Sequence, residues 1–97
     1  MYAVVAFVRN KPRAVFDNVE IMTKSRTWWN EGGKPAGIRT VAFYGALGSQ
    51  TPDVYVFETD NHDDIRKMLD YWSEVDFDVH PAFDMAARFV QQGMKVT

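Results

Sequence analysis

Asp76, Asp78 and His80 are the residues whose types and spacing come nearest to chemistry in this chain. They alternate, so an extended strand would carry all three side chains on one face. A carboxylate beside an imidazole can bind a divalent cation or work as an acid–base pair. Successive same-face positions stand about 6.6 Å apart, too far for the three to hold one ion without further ligands. No metal or cofactor is expected. The same alternation also makes a charged edge strand that discourages edge-to-edge pairing, and this structural reading carries more weight. If Phe77, Val79 and Phe83 pack under helices, His80 and Asp78 face the other way, within reach of a cavity or its mouth.

The aromatic residues add a second group. Tyr44 and Tyr55 fall on predicted strands, where their hydroxyls need partners if buried. They can line a ligand site or sit at the edge of the core. Trp28 and Trp29 end the first predicted helix; one is expected in the core, the other over the helix end or an interface, and Trp28 is carried as a stacking surface for a ligand. His62 reads as a cap-region residue and Trp72 as core. His80, Asp78, Tyr44, Tyr55 and Trp28 are therefore the candidate ligand-binding residues. No catalytic residue is assigned, and whether the chain is an enzyme stays open. Glu31-Gly32-Gly33-Lys34 follows a helix and does not precede one, so it is no phosphate loop.

The elements that must position these residues follow from hydrophobic patterning. Strands are predicted over Tyr2–Arg9, Ile38–Leu47, Asp53–Thr59 and Phe77–Phe83, and helices over Pro12–Trp29 and Asn61–Trp72, with a short C-terminal helix over Asp84–Gln92. Asn10 before Lys11-Pro12 is the expected N-cap of the first helix, whose apolar stripe reads Val15, Val19, Met22 and Trp29. In the second helix the stripe is Ile65, Met68, Leu69 and Trp72. Gly45 suggests a bulge or a place where another backbone approaches, and Ser49-Gln50-Thr51-Pro52 a hairpin connection. The order β-α-β-β-α-β predicts an α+β, ferredoxin-like fold: a four-stranded antiparallel sheet with two helices on one face. Val4–Val8 and Val54–Phe57 are apolar at both parities, so the central strands need cover on both faces. Pro81 puts the last strand at an edge. A second copy of the chain is the simplest cover for the face without helices.

Composition sets the outer limits. The 97 residues fit a single domain, 1–97, with a modest core that oligomerisation would help. There is no cysteine, hence neither a disulfide framework nor a thiolate site, which fits a reducing, cytoplasmic compartment. The apolar start, with its first charge at Arg9, reads as a strand and not as a signal peptide. No apolar run approaches the roughly 20 residues of a membrane span. A net charge of −2 argues against nucleic acid as the main partner. Residues 1–40 hold seven basic and three acidic side chains, residues 41–84 two basic and ten acidic. Two oppositely charged solvated surfaces explain this, and so does an attraction that orients a dimer.

Phe57-Glu58-Thr59-Asp60, Tyr71-Trp72-Ser73, Phe77-Asp78-Val79-His80-Pro81 and Asp84-Met85-Ala86-Ala87 resemble the dimeric α/β-barrel superfamily, and within it a small family of unknown function. The resemblance implies two ferredoxin-like protomers with facing sheets that enclose a barrel. Relatives of that kind include cofactor-independent monooxygenases, haem-degrading monooxygenases and isomerases. The haem-degrading type uses an Asn on the first strand, then a Trp, then a His on the second helix. Asn10, His62 and Trp72 match in type, but His and Trp occur in the opposite order, so haem chemistry is not expected. The expected function is a homodimer that binds a small, mainly apolar molecule between or beside its sheets. The alternatives are a cofactor-independent monooxygenase or isomerase, or a structural or interaction module with a filled barrel.

Overall fold

The computed structural model describes residues 2–10, 18–48 and 51–97. The elements run β1 (Tyr2–Asn10), α1 (Asn18–Asn30), β2 (Arg39–Tyr44), β3 (Asp53–Thr59), α2 (His62–Tyr71), β4 (Val75–Ala82) and α3 (Met85–Gln91). The strands form one antiparallel sheet in the order β2-β3-β1-β4. The doubly apolar strands β1 and β3 are central, and the strand with Pro81 is an edge, where a missing N–H is tolerated. This is the ferredoxin-like α+β arrangement that the patterning predicts. Among the described residues no helix is long and apolar enough to cross a membrane.

Alternation along the strands divides the sheet into two faces. On one, Val4, Ala6, Tyr55 and Phe57 are buried together with Trp28 of α1, Met68 of α2 and Ile38. Tyr2, Val8, Phe77 and Val79 pack partly buried against that cluster. On the other face, cross-strand partners line up in rows: Ala42–Val56–Val5–His80 and Tyr44–Val54–Phe7–Asp78. Among the described residues, the helices that bury side chains against the sheet, α1 and α2, do so on the first face.

Several local details differ from expectation. The ladder of β2 ends at Tyr44, opposite Val54, short of Leu47. Past it, the Ala46 N–H donates to the Asp53 carboxylate (2.9 Å) and leaves the ladder. The bulge lies between Thr40 and Ala42, not at Gly45. The α1 stripe is also rotated. Val19, Met22 and Trp29 are exposed, while Trp28 is buried over half-buried Ile21, Lys24 and Ser25. One residue is about 100° on a helix, so docking on Trp28 turns the expected stripe outward. Asn10 belongs to β1, opposite Val75. Pro12 and Val15, and the helix start expected there, lie outside the described residues, as do Ser49 and Gln50 of the hairpin connection.

Of Asp60 and Asn61, the two caps the sequence offers for α2, Asn61 is the N-cap, its side chain accepting from the Asp63 N–H at 2.9 Å. Of the predicted stripe, Met68 is buried, Ile65 and Trp72 are half-buried, and Leu69 is exposed. Buried Asp64 takes the remaining inward place. α3 is capped by Asp84, whose side chain accepts from the Ala87 N–H at 2.8 Å, and buries none of its residues.

Candidate functional site

Two surfaces carry the candidate residues, one on each side of the sheet. The first is a cleft of about 190 Å³ between the sheet and the C-terminal halves of α1 and α2. Trp28, Trp29, Phe43, Tyr55, Trp72 and Phe77 supply its aromatic walls, Val8, Met68 and Val75 its aliphatic ones, and Asp53 and Ser25 its polar edge. The rings interlock mainly edge to face: Trp28 stands 6.0 Å from Trp72 at 66°, and Trp29 6.3 Å from Tyr55 at 89°. Such geometry is favoured by the ring quadrupoles and gives the walls a fixed shape.

The positions follow from local structure. α1 ends at Asn30 and turns at Gly32, whose φ of +82° suits glycine. Backbone N–H groups of Gly33 and Lys34 then donate to the carbonyls of Thr27 and Trp28, fixing the end of the helix that carries both tryptophans. The β2 bulge shifts the alternation, so Phe43 and Thr40 share the helix-covered face. Phe43 comes to 5.1 Å from the Tyr55 ring, and the Thr40 and Tyr55 hydroxyls are hydrogen-bonded at 2.7 Å. Burial pushes the Tyr55 phenol above its ordinary pKa, against a smaller opposing effect of that hydrogen bond. Lys24 braces α1 against the end of α2. Its Nζ donates to Glu74 at 2.9 Å and lies 5.0 Å from the Tyr71 ring centroid and 5.4 Å from that of Trp72. The Tyr71 hydroxyl donates to the Lys24 carbonyl at 2.7 Å.

The second surface is the uncovered sheet face. His80 Nε2 lies 2.7 Å from Asp78 Oδ1, and the His80 ring meets Phe7 edge-on at 6.0 Å. Asp78, Asp76, Phe7, Arg9, Phe77 and Pro52 border a shallow depression of about 280 Å³. His80 adjoins it through Asp78 and Phe7 but does not line it, and both members of the pair are more than half exposed. Among the described residues no three His, Cys, Asp or Glu side chains converge as a metal site.

The five predicted ligand residues therefore separate. Trp28 and Tyr55 meet in the aromatic cleft. His80 and Asp78 pair on the opposite face. Tyr44 is exposed on that same face but on the far edge strand, roughly 14 Å from the pair by strand spacing. His62 lies away from both groups, its Nδ1 hydrogen-bonded to the Tyr2 hydroxyl at 3.0 Å. Sequence reasoning missed Phe43, Phe77 and Asp53 as cleft residues. Parity counting could find Asp53 and Phe77; Phe43 requires knowledge of the bulge.

Comparison with known proteins adds a family but no activity. No curated protein matches the chain. Residues 11–93 match the model of a family described as a domain of unknown function, DUF3303. The match takes in α1 through α3, including every wall of the aromatic cleft except Val8 and both members of the His80–Asp78 pair, and the chain therefore belongs to the DUF3303 family.

Proposed function

We propose that this protein binds a small, mainly apolar molecule in the aromatic cleft beside its sheet, and that it does so as a cytoplasmic homodimer. The composition of the cleft carries the reading. Six aromatic side chains and three aliphatic ones surround a small space with only two polar residues at its edge. Apolar walls with few polar groups are what small-molecule sites use, and 190 Å³ lies below the roughly 300–1,000 Å³ of sites for drug-sized ligands. The ligand is correspondingly small. Trp28 and Tyr55 are contacts in this reading, joined by Trp29 and Trp72.

Tryptophan fluorescence tests it directly, because three tryptophans line the cleft. Small probes such as toluene, 3,3-dimethylbutan-1-ol and choline should include at least one that changes the emission saturably, and Trp29→Ala should weaken that response. A flat response to all of them overturns the reading.

The dimer rests on the uncovered sheet face. Ala3, Val5, Phe7, Ala42, Val54 and Val56 form its apolar centre, between the Arg39–Glu58 ion pair and the His80–Asp78 pair. Facing sheets are the arrangement of the dimeric α/β-barrel superfamily. Phe83, Met85, Phe89 and Met94 of the C-terminal segment are also exposed and add apolar surface for a second copy to cover. A second reading, a cofactor-independent monooxygenase or isomerase, is favoured by one observation: the His80–Asp78 pair stands on the face that dimerisation would enclose. In that case His80→Ala would keep fold and dimer and remove turnover.

A further inference from the structure

The geometry points to a methylated ammonium head group as the ligand of the aromatic cleft. This inference rests on the binding reading above and narrows it to a chemical class. Four observations carry it.

Trp28, Trp29, Tyr55 and Trp72 present indole and phenol rings to the cleft, and such ring faces attract cations. Among the residues lining the cleft, Asp53 is the only charged one. Its Oδ1 is fixed by the Ala46 N–H at 2.9 Å, which orients the carboxylate at the cleft edge. The aromatic cluster already accommodates an ammonium on its flank, where Lys24 Nζ lies over the Tyr71 and Trp72 rings. That charge is held by Glu74, so it is locally balanced. Lastly, the space is small and its polar edge consists of Asp53 and Ser25. A bare ammonium needs hydrogen-bond acceptors to replace its water. A methylated one spreads its charge over methyl groups and needs aromatic faces instead. A metal ion would find too few oxygen donors here.

Choline and 3,3-dimethylbutan-1-ol have nearly the same shape and differ in charge. Titration of the full chain with each, read by tryptophan fluorescence and calorimetry, separates charge recognition from apolar fit. Choline should bind on the order of tenfold more tightly than the alcohol. Asp53→Asn keeps an acceptor for the Ala46 N–H and should weaken choline by a similar factor while leaving the alcohol unchanged. Equal binding of the two probes to the native chain overturns the cation inference and leaves the apolar-ligand reading standing. Binding of neither overturns the cation inference, and the apolar-ligand reading falls with it only if toluene also gives a flat response. Choline binding that Asp53→Asn leaves unaltered also overturns the inference, since the cation would then be held elsewhere.

Discussion

Tyr55 joins stability to the cleft at the scale of a single residue. It is buried, its hydroxyl is paired with Thr40, and its ring forms a cleft wall. Tyr55→Phe should cost about 1 kcal/mol near neutral pH through loss of that hydrogen bond. Burial raises the phenol's pKa in the folded chain, so its stabilising contribution is present below the unfolded value of about 10 and is lost as pH rises through the folded value. The stability advantage of the native chain over Tyr55→Phe should therefore shrink above about pH 10. Urea midpoints of both proteins across that range measure it. Gly37 offers another residue-level test. A Cβ there would clash with Asp64 Oδ2, and Asp64 is buried with its carboxylate 3.5 Å from the Thr59 hydroxyl. Gly37→Ala should destabilise by about 1–3 kcal/mol through overpacking. In an Asp64→Ala background the same change should cost less, and a four-variant denaturation cycle reads the difference.

At the scale of elements, α1 shows how one residue of register decides roles. Trp28 and Trp29 are neighbours of one type, yet Trp28 is 2% exposed and Trp29 42%. Trp28→Ala should cost about 3–5 kcal/mol, a large share of what so small a domain has. Trp29→Ala should cost far less and act mainly on ligand binding. Chemical denaturation of the two variants should rank them in that order; equal losses would mean that α1 docks differently. Trp72 stands between these cases. It caps α2 half-buried against Trp28, so Trp72→Ala should cost about 2 kcal/mol, below the full-burial range. At the other end of α2, Asn61→Ala removes the acceptor for the Asp63 N–H and should cost about 1 kcal/mol.

For the whole molecule, the uncovered sheet face is the feature with the largest consequence. Its apolar rows run across β2, β3 and β1 and end on His80 and Asp78 of β4, and Phe7 is 38% exposed. A stable interface buries on the order of 1,200–2,000 Å² in total. Sedimentation velocity at micromolar concentration should give a dimer mass. Val56→Glu, which places a charge in the middle of that face, should give a folded monomer with unchanged far-ultraviolet circular dichroism. A native chain that sediments as a monomer would refute the arrangement.

The sequence by itself determined the element order and the sheet order, because those follow from local information. Period-two alternation marks β4, the two-parity apolar runs place β1 and β3 at the centre, and Pro81 sends β4 to an edge. Asn61 and Asp84 announce the starts of α2 and α3 by chemistry confined to a few residues. Tertiary structure alone decided which side of α1 packs, since Val19, Met22 and Trp29 make as good a stripe as the one anchored by Trp28. It also decided where β2 bulges, and with that the face to which Phe43 belongs. The candidate site depends on both decisions. Alternation legibly pairs His80 with Asp78, but the aromatic cleft draws on two helices and all four strands, and its walls meet only through long-range packing that no local pattern encodes.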